Sequence, residues 1–261
     1  MEGSAYHGWK FGLPDKFWPV TLDNFFDNPD EIRELGLRMV KGDESVLSSL
    51  DKGRWPGIRS ETLWKVDKEL AHKITERVLS CYFNFNYEQI FWNYCDMRFQ
   101  LISHFDKDKN NLKNKGWIHI DATHPHQPQP DPEKNQTDKF QLAGLIYLTP
   151  DIETYTGTSL FIAKKDKTLH DWRKNIDVRK TLFKGDPISD EEIKEAWEKH
   201  RSCFIEKVRF NNIYNRLVMY DGKEFHAANS YYTSKDARLT LGFFIGGILA
   251  PQWPLERVRK I

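Results

Sequence analysis

The chain has 261 residues, 39 % of them hydrophobic and 14 % aromatic, so it can bury a sizeable core and is not a disordered protein. Its 39 Lys and Arg residues against 38 Asp and Glu give a net charge of +1, which provides no electrostatic reason to expect a nucleic-acid or membrane partner. Three widely spaced cysteines exclude a disulfide framework and a zinc-binding cysteine pattern. The first ten residues lack the apolar run of a signal peptide, and we expect a cytoplasmic location.

The first ninety residues contain the signals of two helices. One is predicted to begin at Asn28-Pro29, where a capping residue precedes a proline and two acidic residues. The second is predicted to follow Asp67, with apolar residues at helical spacing. Between them, residues 54–59 are expected to form a loop.

From about residue 90 the pattern changes to short β-prone runs separated by turn residues, which is typical of a sandwich or jelly roll. The predicted strands are Phe91–Ser103, Gly116–Ile120, Phe140–Leu148, Thr158–Ile162, Cys203–Phe210, Arg216–Tyr220 and Leu239–Ile248. We therefore predict a mainly β (α+β) fold, a double-stranded β-helix jelly roll with flanking N-terminal helices.

We predict a single domain over residues 1–261, in which residues 1–89 are a helical N-terminal support and residues 90–250 form the jelly-roll core. A helical insertion is expected at residues 164–202, because Ser189 to Glu192 has the form of a capping box before a helix. The proline-rich loop 122–139 and the charged insertion 164–200 are expected to shape a substrate entrance.

A metal site is indicated by His119, Asp121 and the distant His226. Residues two apart in a strand point to the same face, so His119 and Asp121 would present an imidazole and a carboxylate side by side. Two histidines and one carboxylate are the ligand set of a non-haem Fe(II) site with open positions.

An arginine at the start of an apolar strand provides a second signal. Arg238 opens the run Leu239–Ile248, and a buried guanidinium is expensive unless it has a partner. A carboxylate held by two hydrogen bonds would satisfy it. Thr240 lies on the same face of the strand, where its hydroxyl could donate to the same carboxylate.

These residues resemble the pattern of the 2-oxoglutarate- and Fe(II)-dependent oxygenase superfamily, namely H-x-D, a distant His, and then a basic residue. The chain is most similar to the prolyl-hydroxylase-like branch and to an uncharacterised bacterial and phage subgroup. The resemblance also covers Leu145–Thr149, in which Tyr147 would contact the co-substrate, and the run Gly157–Phe161. Two departures are a slightly long spacing to Arg238 and a stretched gap before His226.

The resemblance implies a dioxygenase that uses Fe(II), 2-oxoglutarate and O2, and that hydroxylates a C–H bond of a peptidyl (prolyl) or small-molecule substrate with release of succinate and CO2. Its expected metal ligands are His119, Asp121 and His226, and its expected co-substrate residues are Arg238, Thr240 and Tyr147. The sequence predicts no membrane or nucleic-acid partner and does not indicate the oligomeric state.

Several alternatives remain open at this stage. The protein could be a non-catalytic jelly-roll binding module, or a cupin-like metal protein that does not use 2-oxoglutarate. His124 and His126 could replace His119 as ligands or line the substrate entrance. Arg59 could reach the site or be a solvated surface residue, and Gln100 could bond in the barrel mouth or be an ordinary buried amide.

Overall fold

The computed structural model describes residues 17–41, 55–121, 141–167 and 176–257. The loop 122–139, with His124 and His126, lies outside the described residues, as does Arg54 in the predicted loop 54–59.

The helices lie where their capping signals predict them. Helix α1 (Pro29–Lys41) begins at a proline, has two acidic residues in its first turn and has basic residues in its last turn, an order that suits the helix dipole. Helices α2 (Leu63–Val66) and α3 (Lys68–Leu79) are separated by Asp67, whose side chain accepts a hydrogen bond from the backbone N–H of Leu70 at 2.9 Å. The insertion contains α4 (Ile176–Lys184) and α5 (Asp190–Ser202). Ser189 and Glu192 form the predicted capping box.

The strands form two antiparallel sheets. Their bounds are β1 Val20–Leu22, β2 Ile58–Arg59, β3 Tyr94–Ile102, β4 Leu142–Tyr147, β5 Thr158–Ala163, β6 Phe204–Phe210, β7 Leu217–Asp221, β8 Phe225–Ala228 and β9 Arg238–Gly246. The major sheet has the order β1-β7-β4-β9-β3-β2, and the minor sheet has the order β6-β5-β8.

Alternation along the strands separates a structural face from an inner face. On β9, Leu239, Leu241 and Phe243 belong to the largest apolar cluster, together with residues of α3 such as Ile74 and Val78. The inner face of the major sheet packs on the minor sheet through a second cluster of buried residues: Ala143, Tyr147, Leu160, Phe210, Val218 and Tyr220. The space between the sheets therefore receives every second residue of β9, beginning with Arg238.

The helical insertion covers the outer face of the minor sheet. A third cluster there contains Ile118, Phe161 and Phe225, and the ring of His200 on α5 lies 5.3 Å from that of Phe204. From one side to the other, the layers are the N-terminal helices, the major sheet, the inner space, the minor sheet and α5. This two-sheet jelly roll with flanking helices confirms the predicted fold class.

The structure departs from the sequence prediction in its shortest elements. Residues 54–59 were predicted as a loop, but Ile58–Arg59 pairs with β3 as an edge strand. Gly116–Ile120 was predicted as a strand, but it pairs with β8 through one isolated bridge at His119 and a backbone bond from Gly116 to Ala228. Across the described ranges, no helix is both long and apolar enough to span a lipid bilayer.

Candidate metal centre

The isolated bridge places two histidines directly opposite each other. The backbone N–H of His119 donates to the carbonyl of His226 at 3.0 Å, and that of His226 donates to the carbonyl of His119 at 2.9 Å. Opposite residues of an antiparallel pair project side chains to the same face. The ring centroids lie 4.3 Å apart, so the pairing brings together two imidazoles that are far apart in the chain.

Asp121 completes the cluster from two residues beyond His119. Its Oδ1 lies 3.7 Å from Nε2 of His119, and its Oδ2 lies 3.1 Å from Nε2 of His226. One donor atom from each of the three residues falls within 4.8 Å of the others. A cation with bonds of about 2.0–2.2 Å would reach three donors so spaced after small side-chain rotations.

The backbone fixes which nitrogen of each histidine faces the centre. Nδ1 of His119 lies 2.8 Å from the carbonyl oxygen of Trp117, and Nδ1 of His226 lies 3.0 Å from that of Glu224. A carbonyl oxygen only accepts, so each Nδ1 carries the proton and donates it. Nε2 is thereby the atom of each ring that faces Asp121, and it is the atom that a metal would take as its ligand.

The electrostatics of the cluster favour one ionised carboxylate and one neutral imidazole. Burial and the neighbouring His226 lower the pKa of His119 to about 3, against the opposing effect of Asp121. Burial also lowers the pKa of His226, but the carboxylate of Asp121 outweighs it and the net shift is upward. Burial raises the pKa of Asp121, yet the two histidines outweigh it and the net shift is downward. At neutral pH, His119 and Asp121 are therefore ready to act as ligands.

Arg238 presents an unsatisfied donor edge to the inner space. Its side chain is buried, with 3 % of the residue exposed, and its Cζ lies 5.4 Å from the centroid of the Tyr147 ring. Nε and Nη2 have no hydrogen-bond partner among the residues that the structure describes. These two N–H groups lie on the same edge of the guanidinium and form the fork that binds a carboxylate in a bidentate manner.

The two other predicted co-substrate residues lie beside Arg238. Thr240 is buried on the same face of β9, and it stands opposite Tyr147 of β4. The hydroxyl of Tyr147 donates to Oγ1 of Thr158 at 2.9 Å. Its proton is thus committed to Thr158, and its oxygen also accepts a hydrogen bond from Arg238, so Tyr147 would position the guanidinium rather than donate to an anion.

Tyr220 connects the histidine cluster with Arg238, and sequence reasoning missed it. Its ring centroid lies 4.7 Å from that of His226. Burial raises its pKa well above the usual value; the charge of Asp121 raises it further, and that of Arg238 lowers it. Tyr220 therefore lies within the field of both charged groups. The available signal was its alternation with Val218 on a strand leading to His226.

The structure decides between the two interpretations that the sequence allowed for Arg59 and for Gln100. Arg59 is half-buried, its Cζ lies 4.3 Å from the Trp55 ring centroid, and its charge helps to lower the pKa of Asp121. It therefore faces the centre, and the interpretation as a solvated surface residue was wrong. Gln100 donates from its amide to the carbonyl of Pro56 at 2.7 Å. It anchors the loop before β2, as an ordinary structural amide would.

Gly116→Ala is expected to weaken metal binding although it removes no ligand. A Cβ at position 116 would collide with the backbone oxygen of Ala228, so the segment carrying His119 would have to move away from β8. We expect a loss of stability of about 1–3 kcal/mol and a drop in metal affinity, measured by thermal unfolding and by metal titration. Gly242→Ala is the matched control, because its Cβ would meet only the carbonyl of Arg98 at 3.9 Å. Equal metal affinity in both variants would contradict this account.

Comparison with known proteins identifies a family and similar solved structures. The profile of a family of unknown function (DUF6445) matches residues 18–245. No curated protein matches the sequence. Among solved structures, the chain is similar to the crystal structure of a Pseudomonas putida prolyl-4-hydroxylase, with 9 % sequence identity, a TM-score of 0.42 and coverage of 87 % of each chain.

Proposed function

We propose that this chain, which belongs to the family of unknown function DUF6445, is an Fe(II)- and 2-oxoglutarate-dependent dioxygenase. The observation that carries the proposal is the buried Nε and Nη2 edge of Arg238, which has no acceptor in the described part of the chain. It lies in the same inner space as the cluster of His119, Asp121 and His226. A metal cluster alone is compatible with many functions. A metal cluster with a buried anion fork behind it fits an anionic co-substrate that spans the two.

The donor set fits Fe(II). Two imidazole nitrogens and one carboxylate on one side of a cation leave positions open for exchangeable ligands, whereas structural zinc sites are usually closed by four protein ligands. The neutral His119 and the ionised Asp121 suit a divalent cation without further proton loss. When bound, Fe(II) with 2-oxoglutarate and O2 would supply the oxidising chemistry that hydroxylates a C–H bond and releases succinate and CO2.

The protein residues bind and orient the reactants. Arg238 would hold the carboxylate of 2-oxoglutarate that is remote from the metal, through Nε and Nη2, with the hydroxyl of Thr240 beside it. The Tyr147 ring lies against the guanidinium of Arg238 and makes a cation–π contact with it. His119 and His226 hold fixed orientations because their Nδ1 protons are donated to backbone carbonyls.

Apolar side chains border the centre. Apolar side chains of both sheets, including Leu160 and Val218, line the inner space beside Tyr220. Tyr220 remains protonated at any physiological pH, since its pKa is raised well above the usual value by burial first and by Asp121 next. A largely apolar surrounding lowers the local dielectric and so strengthens the electrostatic contacts of a bound dicarboxylate.

The same observation discriminates between this function and the alternatives. A non-catalytic jelly roll with a structural metal does not need the unsatisfied Nε and Nη2 edge of Arg238. In such a protein, replacing Arg238 by an apolar side chain would be favourable. A cupin-like enzyme that does not use 2-oxoglutarate would likewise leave Arg238 unexplained. The substrate, whether peptidyl proline or a small molecule, and the cytoplasmic location stay predictions.

The direct test is an anaerobic titration of the full chain with Fe(II) followed by 2-oxoglutarate. We expect one equivalent of each to bind, with a visible metal-to-ligand charge-transfer band that is absent with either component alone. Admission of O2 should then produce succinate. The control for non-specific dicarboxylate binding is the same titration with succinate in place of 2-oxoglutarate. Tight Fe(II) binding without any effect of 2-oxoglutarate on the spectrum or on thermal unfolding would reject the proposal in favour of a cupin-like protein.

A further inference from the structure

A second arginine reaches the metal centre from the helical insertion. Arg179 lies on α4, is half-buried, and has a buried Nε without a hydrogen-bond partner within the described ranges 17–41, 55–121, 141–167 and 176–257. Its Cζ lies 5.9 Å from the ring centroid of Phe183, one helical turn further on. A solvated arginine would satisfy Nε with water, so a buried unpaired donor indicates a place for an acceptor.

An aromatic cluster fixes the position of this arginine. The ring of Phe183 is stacked on that of Phe105 at 5.7 Å and meets that of Tyr231 edge-on at 6.3 Å. Tyr231 follows His226 closely, and its backbone N–H donates to the carbonyl of Asn114 at 2.7 Å, just before the segment that carries His119. The cluster therefore joins α4 to the two segments that supply the histidines.

Arg179 is close enough to the centre for its charge to act on the residues there. Asp121 and Tyr231 are the groups whose charges raise the pKa of Arg179 against the larger lowering effect of burial. The charge of Arg179 in turn lowers the pKa of His119, after the larger lowering effects of burial and of His226. Tyr231 lies within the field of both Arg238 and Arg179. Arg179 thus lies close to Asp121 and His119, and Tyr231 lies close to both arginines.

With a divalent cation and 2-oxoglutarate bound, the centre would carry an excess of positive charge. A divalent cation takes up the charge of Asp121, and the far carboxylate of 2-oxoglutarate takes up Arg238. Among the described residues, Asp121 is the acidic group whose charge acts on Arg179, so Arg179 then keeps a buried positive charge. Burial of an uncompensated charge is strongly unfavourable, so we expect the site to bind one more anion.

We propose that Arg179 binds an oxyanionic group, a carboxylate or a phosphate, of the primary substrate, while Phe183 and Tyr231 contact its apolar part. The inference rests on the proposed function, because it takes the metal and Arg238 to be occupied by Fe(II) and 2-oxoglutarate. It narrows the substrate class to acids, and it excludes an internal prolyl residue that brings no charged group to this position.

The test uses the full chain loaded with Mn(II) and 2-oxoglutarate, and three probes that share an aromatic ring. These are N-acetyl-L-phenylalanine, its neutral amide and phenyl phosphate, with binding measured by calorimetry. We expect one or both anions to bind the wild type about tenfold or more tighter than the amide. The tighter of the two anions identifies the oxyanion that the substrate carries. Equal affinity for anions and amide, or no anion binding, would overturn the proposal.

Variants assign the anion preference to Arg179. Arg179→Met should abolish the preference, and Arg179→Lys, which keeps the charge without the planar fork, should retain part of it. Arg38→Met is the matched control, because it removes the same side chain from an exposed position on α1. Retention of the full preference in Arg179→Met would overturn the proposal. Should Arg179→Met fail to fold, a full preference in Arg179→Lys would do the same.

Affinity for 2-oxoglutarate separates this inference from the proposed function. Arg179→Met should bind 2-oxoglutarate as the wild type does, because Arg238 holds that ligand. Loss of 2-oxoglutarate binding in Arg179→Met would overturn the substrate assignment and place Arg179 on the co-substrate. Failure of the wild type itself to bind 2-oxoglutarate would reject the proposed function, whereas normal 2-oxoglutarate binding without an anion preference would reject only the subsite.

Discussion

His226→Ala is expected to abolish stoichiometric metal binding. The substitution removes one of three donors and also the group that lies 3.1 Å from Asp121, so the remaining carboxylate and His119 form a two-donor site. Loss of mere supporting partners of metal ligands lowers affinity by roughly 10–100-fold, and loss of a ligand should lower it further. The measurement is the metal content after anaerobic loading with Fe(II) and gel filtration. Asp121→Ala is expected to give the same result.

His72→Ala is the control for this experiment. His72 lies on the exposed side of α3, where it is 3.4 Å from Glu76 and its side chain is about half exposed, so its loss should leave one equivalent of metal bound. Thermal unfolding of each apo variant establishes that the fold is retained. If His226→Ala retained one equivalent of Fe(II) and still turned over 2-oxoglutarate, the centre described above would not be the functional one.

The helices and the long strands were predictable because their signals are local. Helix α1 follows from Pro29 and its flanking charges, and α5 follows from the capping box at Ser189. Strands β1, β2 and β8 have two to four residues each and were not predicted. Segments this short have no periodicity of their own, and their extended conformation comes from pairing with a neighbouring strand.

The composition of the metal cluster was predictable, but its assembly was not. The sequence supplied His119, Asp121 and His226, whereas the bridge that sets the two histidines opposite each other depends on a close approach at Gly116. The expectation that His119 lies within a regular strand was wrong, although its same-face consequence for Asp121 is confirmed by the distances.

The surrounding residues were missed for a different reason. Arg179 lies in a charged stretch of the insertion, which in sequence is indistinguishable from a solvated helix. Only the packing of Phe183 against Tyr231 reveals which of the neighbouring charges is turned inward. Arg238 could be identified because it opens an otherwise apolar strand, where a charge contradicts its context.

Side chains of β9 alternate between the two faces of the major sheet, so one strand contributes both to the apolar core and to the candidate site. Its residues Leu239, Leu241 and Phe243 pack in the core beneath the N-terminal helices, while Arg238 and Thr240 face the space between the sheets. The outward residues hold the strand rigidly in the middle of the major sheet. A buried guanidinium whose Nε and Nη2 have no acceptor among the described residues can persist there because the remainder of the strand stabilises its position.

Arg238→Met is therefore expected to stabilise the protein without ligands and to abolish its response to 2-oxoglutarate. Within the described ranges no carboxylate is paired with Arg238. Replacing such a buried charge by an apolar side chain of similar length removes a desolvation penalty, and we expect a gain of about 1 kcal/mol or more. That gain corresponds to a rise in Tm of roughly 2–4 °C for a chain of this size. Fe(II) binding should persist, because the metal ligands are untouched, while the 2-oxoglutarate-induced rise in Tm and the charge-transfer band should disappear.

Arg98→Met on the neighbouring strand β3 provides the contrast that makes this result diagnostic. Arg98 donates from Nε to Asp96 at 2.9 Å and from Nη1 to the carbonyl of Ser60 at 3.2 Å, so its loss leaves acceptors without their partner and should lower Tm. A rise in Tm for Arg238→Met together with a fall in Tm for Arg98→Met would identify Arg238 as a ligand-binding residue rather than a structural one. A fall in Tm for Arg238→Met, with the response to 2-oxoglutarate intact, would instead show that Arg238 is a structural residue, and the co-substrate assignment would fail.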